Sequence, residues 1–182
     1  MIDHPTTKAL LMDSMMELMN SRPIENISVR EIAENCNVST RSFYNYFKDK
    51  HDIINAIYME KEHELFCVEF PPGVITRLSL VNLFSYVKKY RRFYDNACSY
   101  TGQNNLLESI CNQGYLRMMD CIRAKDGIAD VEPDLCFAAR MWLNGMKDTI
   151  KEWLSDGCLT EPDELTDLIL FASPECMLRY IE

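Results

Sequence analysis

The side chains best equipped for specific recognition cluster in residues 40–50, where Thr40, Arg41, Ser42, Tyr44, Asn45, Tyr46 and Lys50 crowd into eleven positions. A guanidinium such as Arg41 can donate two parallel hydrogen bonds to one guanine edge, and an amide such as Asn45 can grip adenine in the same way. Hydroxyls and an ammonium suit sugar-phosphate oxygens. This chemistry reads duplex DNA, and it works only if a stiff element presents the groups on one side.

The flanking residues supply that element. Ser28 stands three residues before Glu31, the spacing at which each side chain satisfies an amide of the first helical turn, so a helix is expected to begin there. Val29, Ile32, Ala33 and Cys36 form its apolar face. Asn37 follows where the chain must leave in a left-handed conformation, which Asn tolerates better than any residue but Gly. Val38 fills the corner, and Ser39 caps a second helix. On that helix Phe43 and Phe47, four apart, face inward and leave Thr40, Arg41, Asn45 and Tyr46 outward. The pattern is a helix-turn-helix. Residues 7–20, with Leu11, Met15, Leu18 and Met19 at helical spacing, provide a supporting helix closed by Pro23.

Over about residues 7–57 the chain resembles the TetR/AcrR-type bacterial transcriptional regulators, through Val38-Ser39, Tyr44-Asn45-Tyr46-Phe47 and Lys50 in that order. It departs from the family pattern at Asn37, where Gly is usual, and at Arg41-Ser42, where Gly-Thr is frequent. The resemblance implies a three-helix DNA-binding head over residues 1–50 and an all-helical effector-binding and dimerisation domain over 51–182. Base contacts are then expected from Arg30, Thr40, Arg41, Asn45 and Tyr46, and phosphate contacts from Ser42, Tyr44 and Lys50. It further implies a homodimer on a pseudo-palindromic operator and a small-molecule effector that weakens DNA binding, as in a ligand-responsive repressor. Large side chains at Phe84, Tyr90, Phe93, Tyr94, Met118, Trp142 and Met146 are the expected pocket lining. Two alternatives keep the same fold: a co-regulator acting through a partner protein, suggested by Arg41 and a near-neutral head, and a thiol or metal sensor.

Composition limits other functions. The chain has 182 residues, 47% of them hydrophobic, and a formal charge of −9. Residues 1–50 hold six Lys/Arg against seven Asp/Glu, so the acidity lies mostly beyond them. Such a head binds random DNA poorly and depends on paired, base-specific contacts. Eight cysteines without a C-x-x-C pair or an export signal point to free thiols in a cytoplasmic protein, with Cys98 as the expected exposed exception beside the 101–105 turn. No apolar run reaches the roughly 18 residues of a membrane span. His4, His51 and His63 sit in no metal-ligand spacing, and Glu60, Glu62, His63 and Glu64 point to different sides of one helix. No cofactor, metal or enzymatic constellation is expected.

Beyond the head, helices are expected over residues 50–66, 75–95, 106–122, 131–154 and from Thr160 onward, with a stop at Pro71-Pro72-Gly73. The basic run Lys88, Lys89, Arg91, Arg92 reads as a solvated helix face. The last two helices are apolar enough to form a dimer interface. With no strand alternation, the fold class is all-α.

Overall fold

The structure, a computed structural model, describes residues 6–68 and 73–182. Among them are ten α-helices and no strand: α1 (Thr7–Met19), α2 (Val29–Asn35), α3 (Thr40–Tyr44), α4 (Lys50–His63), α5 (Arg77–Lys89), α6 (Arg91–Ser99), α7 (Leu106–Asp126), α8 (Pro133–Ser155), α9 (Pro162–Ala172) and α10 (Glu175–Leu178). His4 and the Pro71-Pro72 stop lie outside the described residues. α4 runs into a π-helical turn at Glu64–Val68.

Two compact units emerge: one takes residues up to Met59 together with Arg92–Leu106, the other Glu60–Arg91 with Leu107–Glu182. In the first, Leu11, Met15 and Met19 of α1 are buried together with Ile32, Ala33, Phe43, Phe47, Ile53 and Ile54. Ser14, buried in the apolar row of α1, satisfies its hydroxyl on the Ile32 carbonyl at 2.7 Å. Asn35 donates back to Ser14 and Glu17, which ties α1 to α2. α6 belongs to this unit, and its Phe93, Tyr94, Ala97 and Cys98 are buried. Asn96 accepts from the Ile24 amide at 2.9 Å and donates to the Met19 and Arg22 carbonyls at 3.0 and 2.7 Å.

In the second unit, Leu80, Phe84 and Val87 of α5 are buried along with Met118, Met119 and Ile122 of α7, and with Leu143, Ile150 and Trp153 of α8. Phe84 meets Trp153 edge-on at 6.0 Å, and the Trp153 indole donates to the Thr160 carbonyl. Arg77 at the start of α5 pairs with Asp163 and Asp167 of α9.

Three expectations change. The helix expected over 75–95 is broken at Tyr90 into α5 and α6. Lys89, Arg91 and Arg92 of the basic run are exposed, while Lys88 pairs with Glu161 and Arg91 donates to the Gly157 carbonyl. α9 starts at Pro162 with no side-chain cap from Thr160, whose carbonyl serves Trp153, and Pro174 ends it before the short α10. Cys98, expected to be exposed, is 1% accessible, because α6 turns that side into the core of the first unit.

Candidate nucleic-acid interface

α2 begins as its capping box requires: Ser28 Oγ accepts from the Glu31 amide at 3.2 Å and Glu31 accepts from the Ser28 amide at 2.9 Å. Arg22 adds a 2.7 Å ion pair to Glu31. The Arg22 hydrogen bond first, then the Ser28 amide and hydroxyl, hold the Glu31 carboxyl down to about 2, from an ordinary value of 4.5. α2 ends at Cys36, and Asn37 takes φ 58°, the left-handed position its side chain tolerates. The Val38 amide then returns to the Ala33 carbonyl at 2.8 Å, closing the corner.

Ser39 caps α3 by accepting from the Ser42 amide at 3.1 Å. Phe43 is fully buried and packs on Phe47 at 5.6 Å. That pair anchors the helix from beneath and leaves Thr40, Arg41, Tyr44, Asn45 and Tyr46 exposed in one continuous stretch. Tyr44 and Tyr46 remain 58% and 48% accessible, unusual for large aromatic side chains in a small protein. Arg41 makes no ion pair among the described residues, whereas Arg22 and Arg30 do. Ser42 is half-buried and shares a 2.8 Å hydrogen bond with Ser39. Arg30 lies on α2 and meets Glu34 one turn on, at 2.7 Å and 78% exposed. A pair that open to water is worth only about 0.3–0.5 kcal/mol, so an incoming anion displaces Glu34 at little cost.

Lys50, expected to meet a phosphate, is tied into the head by its own hydrogen bonds. Its ammonium donates to the Ile24, Ile27 and Glu25 carbonyls at 2.7, 3.1 and 3.4 Å, clamping the turn at Ile24–Asn26. Two residues earlier, Lys48 is exposed and makes no ion pair among the described residues. Its backbone amide is held by Asp52 at 2.9 Å, so a fixed chain carries a free cation beside the exposed α3 stretch. Sequence reasoning passed over Lys48, and the only available signal was a lysine in the link between two helices.

The seven residues expected to line an effector pocket are not all in one place. Phe93 and Tyr94 belong to the core of the first unit, Phe84 and Met118 to that of the second. Tyr90 is half-buried and meets the Tyr86 ring at 4.7 Å, tilted by 51°. Trp142 and Met146 line an open apolar groove of about 880 Å³ between α8 and α9, together with Phe137, Met141, Leu168 and Phe171. Among the described residues no cluster of His, Cys, Asp and Glu is placed to hold a metal, and no helix is long and apolar enough to cross a membrane.

The comparisons agree with this geometry. The family described as "Bacterial regulatory proteins, tetR family" matches residues 11–57, and "Transcriptional regulator C-terminal region" matches residues 77–171. No curated protein sequence matches the chain. Among solved structures, the dihydroxyacetone kinase operon activator DhaS superposes with a TM-score of 0.68 at 18% identity, over 91% of this chain and 92% of that one. The fatty acid degradation regulator FadR from Bacillus halodurans gives 0.60 at 15%, over 92% and 94%. A tetR-family transcriptional regulator from Streptomyces coelicolor gives 0.58 at 19%, over 90% and 77%. At these identities the structures show a shared all-α fold. The two family matches go further, covering both the helix-turn-helix and the helices beyond it: the chain belongs to the TetR family and is a DNA-binding transcriptional regulator, not an enzyme.

Proposed function

We propose that the chain acts as a homodimeric, effector-responsive repressor of a pseudo-palindromic operator. The observation that carries this reading is Arg41, exposed and without an ion pair, in the middle of the α3 stretch formed by Thr40, Tyr44, Asn45 and Tyr46. In this reading Arg30, Thr40, Arg41, Asn45 and Tyr46 meet base edges, while Ser42, Tyr44 and Lys48 meet the backbone. Lys50 holds the head together.

The dimer would form through α8 and α9. Phe137, Met141, Leu168 and Phe171 are 69%, 67%, 54% and 90% exposed, an apolar face that a lone chain would leave to water. Two such faces related by a two-fold axis give a four-helix interface and two recognition helices, for half-sites about 34–36 Å apart. Effector response would fall to the second unit, by analogy with ligand-responsive members of the family; Phe84 and Met118 are buried in its core and Tyr90 is half-buried. Phe93 and Tyr94 are structural in this reading, and Trp142 and Met146 belong to the dimer face.

The test is selection of a binding site from randomised duplexes, followed by the same selection with Arg41→Ala. A bidentate arginine contact contributes about 1–3 kcal/mol of base discrimination, so the variant should lose preference at one symmetric pair of positions. An unchanged preference at every position would remove Arg41 from base reading. A reporter driven by the selected site should fall when the chain is supplied, and a rise would make the protein an activator.

A further inference from the structure

α7 and α8 enclose a second, polar cavity of about 320 Å³, lined by Glu108, Cys111, Asn112 and Tyr115 on one side and by Arg140, Leu143, Asn144 and Lys147 on the other. The spacing explains the wall: residues 108, 111, 112 and 115 share one face of α7, and 140, 143, 144 and 147 share one face of α8. Asn144 organises it. Its amide donates to the Arg140 carbonyl at 2.9 Å, and its oxygen accepts from Lys147 at 3.5 Å and from the Cys111 thiol at 3.8 Å. The Arg140 guanidinium lies 4.1 Å over the Tyr115 ring, a cation–π contact between the two walls.

The charge is what sets this cavity apart. The chain carries 28 Asp/Glu against 19 Lys/Arg, and the arginines of α7 are each matched to a carboxylate, Arg117 to Glu62 and Arg123 to Asp120. Arg140 and Lys147, in contrast, form no ion pair among the described residues, although they stand two turns apart on one wall of a cavity. Burial pushes the Cys111 thiol up despite the two cations, so it stays a protonated donor at neutral pH. Two cations, two amides, a phenol and a thiol line the cavity with one carboxylate, Glu108, and one apolar side chain, Leu143, so the lining carries a single net positive charge.

We propose that this α7/α8 cavity binds a compact oxyanion, a carboxylate or phosphate group of a small metabolite, held by Arg140 and Lys147 with Asn112 and Tyr115 as further donors. The volume lies at the low end of the roughly 300–1,000 Å³ of ligand pockets, which suits a small anion and not a drug-sized apolar molecule. A guanidinium can grip two oxygens of one group, and the neighbouring ammonium adds a point charge. This proposal does not depend on the DNA-binding reading, and no nucleic acid enters its test.

Calorimetric titration of the full chain with inorganic phosphate and, separately, succinate at constant ionic strength reads the site directly. We expect saturable binding of one anion per chain for at least one of the two, and the better binder identifies the group preferred. Replacing both cations (Arg140→Gln with Lys147→Gln) should weaken it by about tenfold or more, as loss of charge-assisted hydrogen bonds does. Lys147→Arg should keep it, and Lys125→Gln, at an exposed lysine outside the cavity, should leave it unaltered. Asn112→Asp adds a second carboxylate beside Glu108, takes the lining from one net positive charge to none, and should weaken binding by about tenfold or more without touching either cation, which covers the case in which the double variant fails to fold. No saturable binding of either anion, or binding that survives Asn112→Asp or a folded double variant, would overturn the proposal.

Discussion

Lys50→Ala should behave as a stability mutation and Lys48→Ala as a DNA-binding mutation. The Lys50 ammonium makes two close hydrogen bonds, at 2.7 and 3.1 Å, to the carbonyls of Ile24 and Ile27, residues whose side chains are buried. Hydrogen bonds from a charged donor contribute about 1.5–3 kcal/mol each, but Lys50 is only half-buried and water can replace part of what is lost, so a total near 2–3 kcal/mol is the reasoned figure. For a chain of this size that lowers the melting temperature by roughly 4–12 °C. Lys48 is exposed and its removal should change stability by no more than about 0.5 kcal/mol. The salt dependence of operator binding should show the reverse. Each phosphate contact contributes about 0.9 to the slope of log K against log salt, so losing Lys48 from both subunits should reduce the slope by roughly 1.8. Lys50→Ala, measured at a temperature where it remains folded, should leave the slope unchanged. Thermal denaturation by circular dichroism and fluorescence-anisotropy titrations between low and moderate salt provide both readouts. A neutral melting temperature for Lys50→Ala together with a reduced slope would refute the clamp and return Lys50 to the phosphate.

The capping box predicts a pH window. Glu31 has its folded-state value depressed from 4.5 to about 2, so its contribution is complete above pH 4.5 and disappears as the pH falls through about 2. Glu31→Gln should flatten the stability profile across that interval, and carboxyl NMR titration of the wild type should find Glu31 the last of the head carboxylates to protonate. Phe171→Asp, at a side chain 90% exposed, should leave the helical content intact while shifting sedimentation from dimer to monomer. A folded variant that still sediments as a dimer would place the interface elsewhere. Cys98, Cys121 and Cys158 are buried, and burial pushes Cys121 up to about 11, so a thiol reagent at neutral pH should modify them only on unfolding. Rapid labelling of Cys98 in the folded protein would contradict its place in the core.

The helix-turn-helix was legible because its determinants are local. Ser28 with Glu31, Asn37 at a left-handed corner, Ser39 before a helix and the Phe43/Phe47 pair each act within a few residues, and all take the places their chemistry demands. What escaped depends on contacts distant in sequence. Nothing near Tyr90 breaks a helix by itself, and the cations on either side of the break meet Glu161 and the Gly157 carbonyl, some seventy residues on. The carbonyls that Lys50 meets lie more than twenty residues earlier, whereas its charge and its position at a helix start suggest only an anion. The aromatic set misled for a related reason. Phe93 and Tyr94 share a hydrophobic pattern with Phe84, yet they fold with the head, and periodicity reports that a side chain is buried without reporting in which core.

Asn96 gives that partition a practical meaning. Its three hydrogen bonds reach the Ile24 amide and the Met19 and Arg22 carbonyls, groups that would otherwise have to find water where α1 ends. A fragment cut after Met59 keeps every residue of the helix-turn-helix and loses this clamp, along with the burial of Phe93, Tyr94 and Ala97. The reading head is thus a discontinuous body. Its chain passes to the second unit between Met59 and Glu60, returns between Arg91 and Arg92, and leaves again between Leu106 and Leu107, each time inside a helix. Anyone grafting this head onto another sensor would have to cut α4, α6 and α7 and rejoin all three in register. A single-crossover chimera at residue 50 or 59 should yield a head that aggregates or melts early, while a chimera that also carries residues 92–106 should recover it.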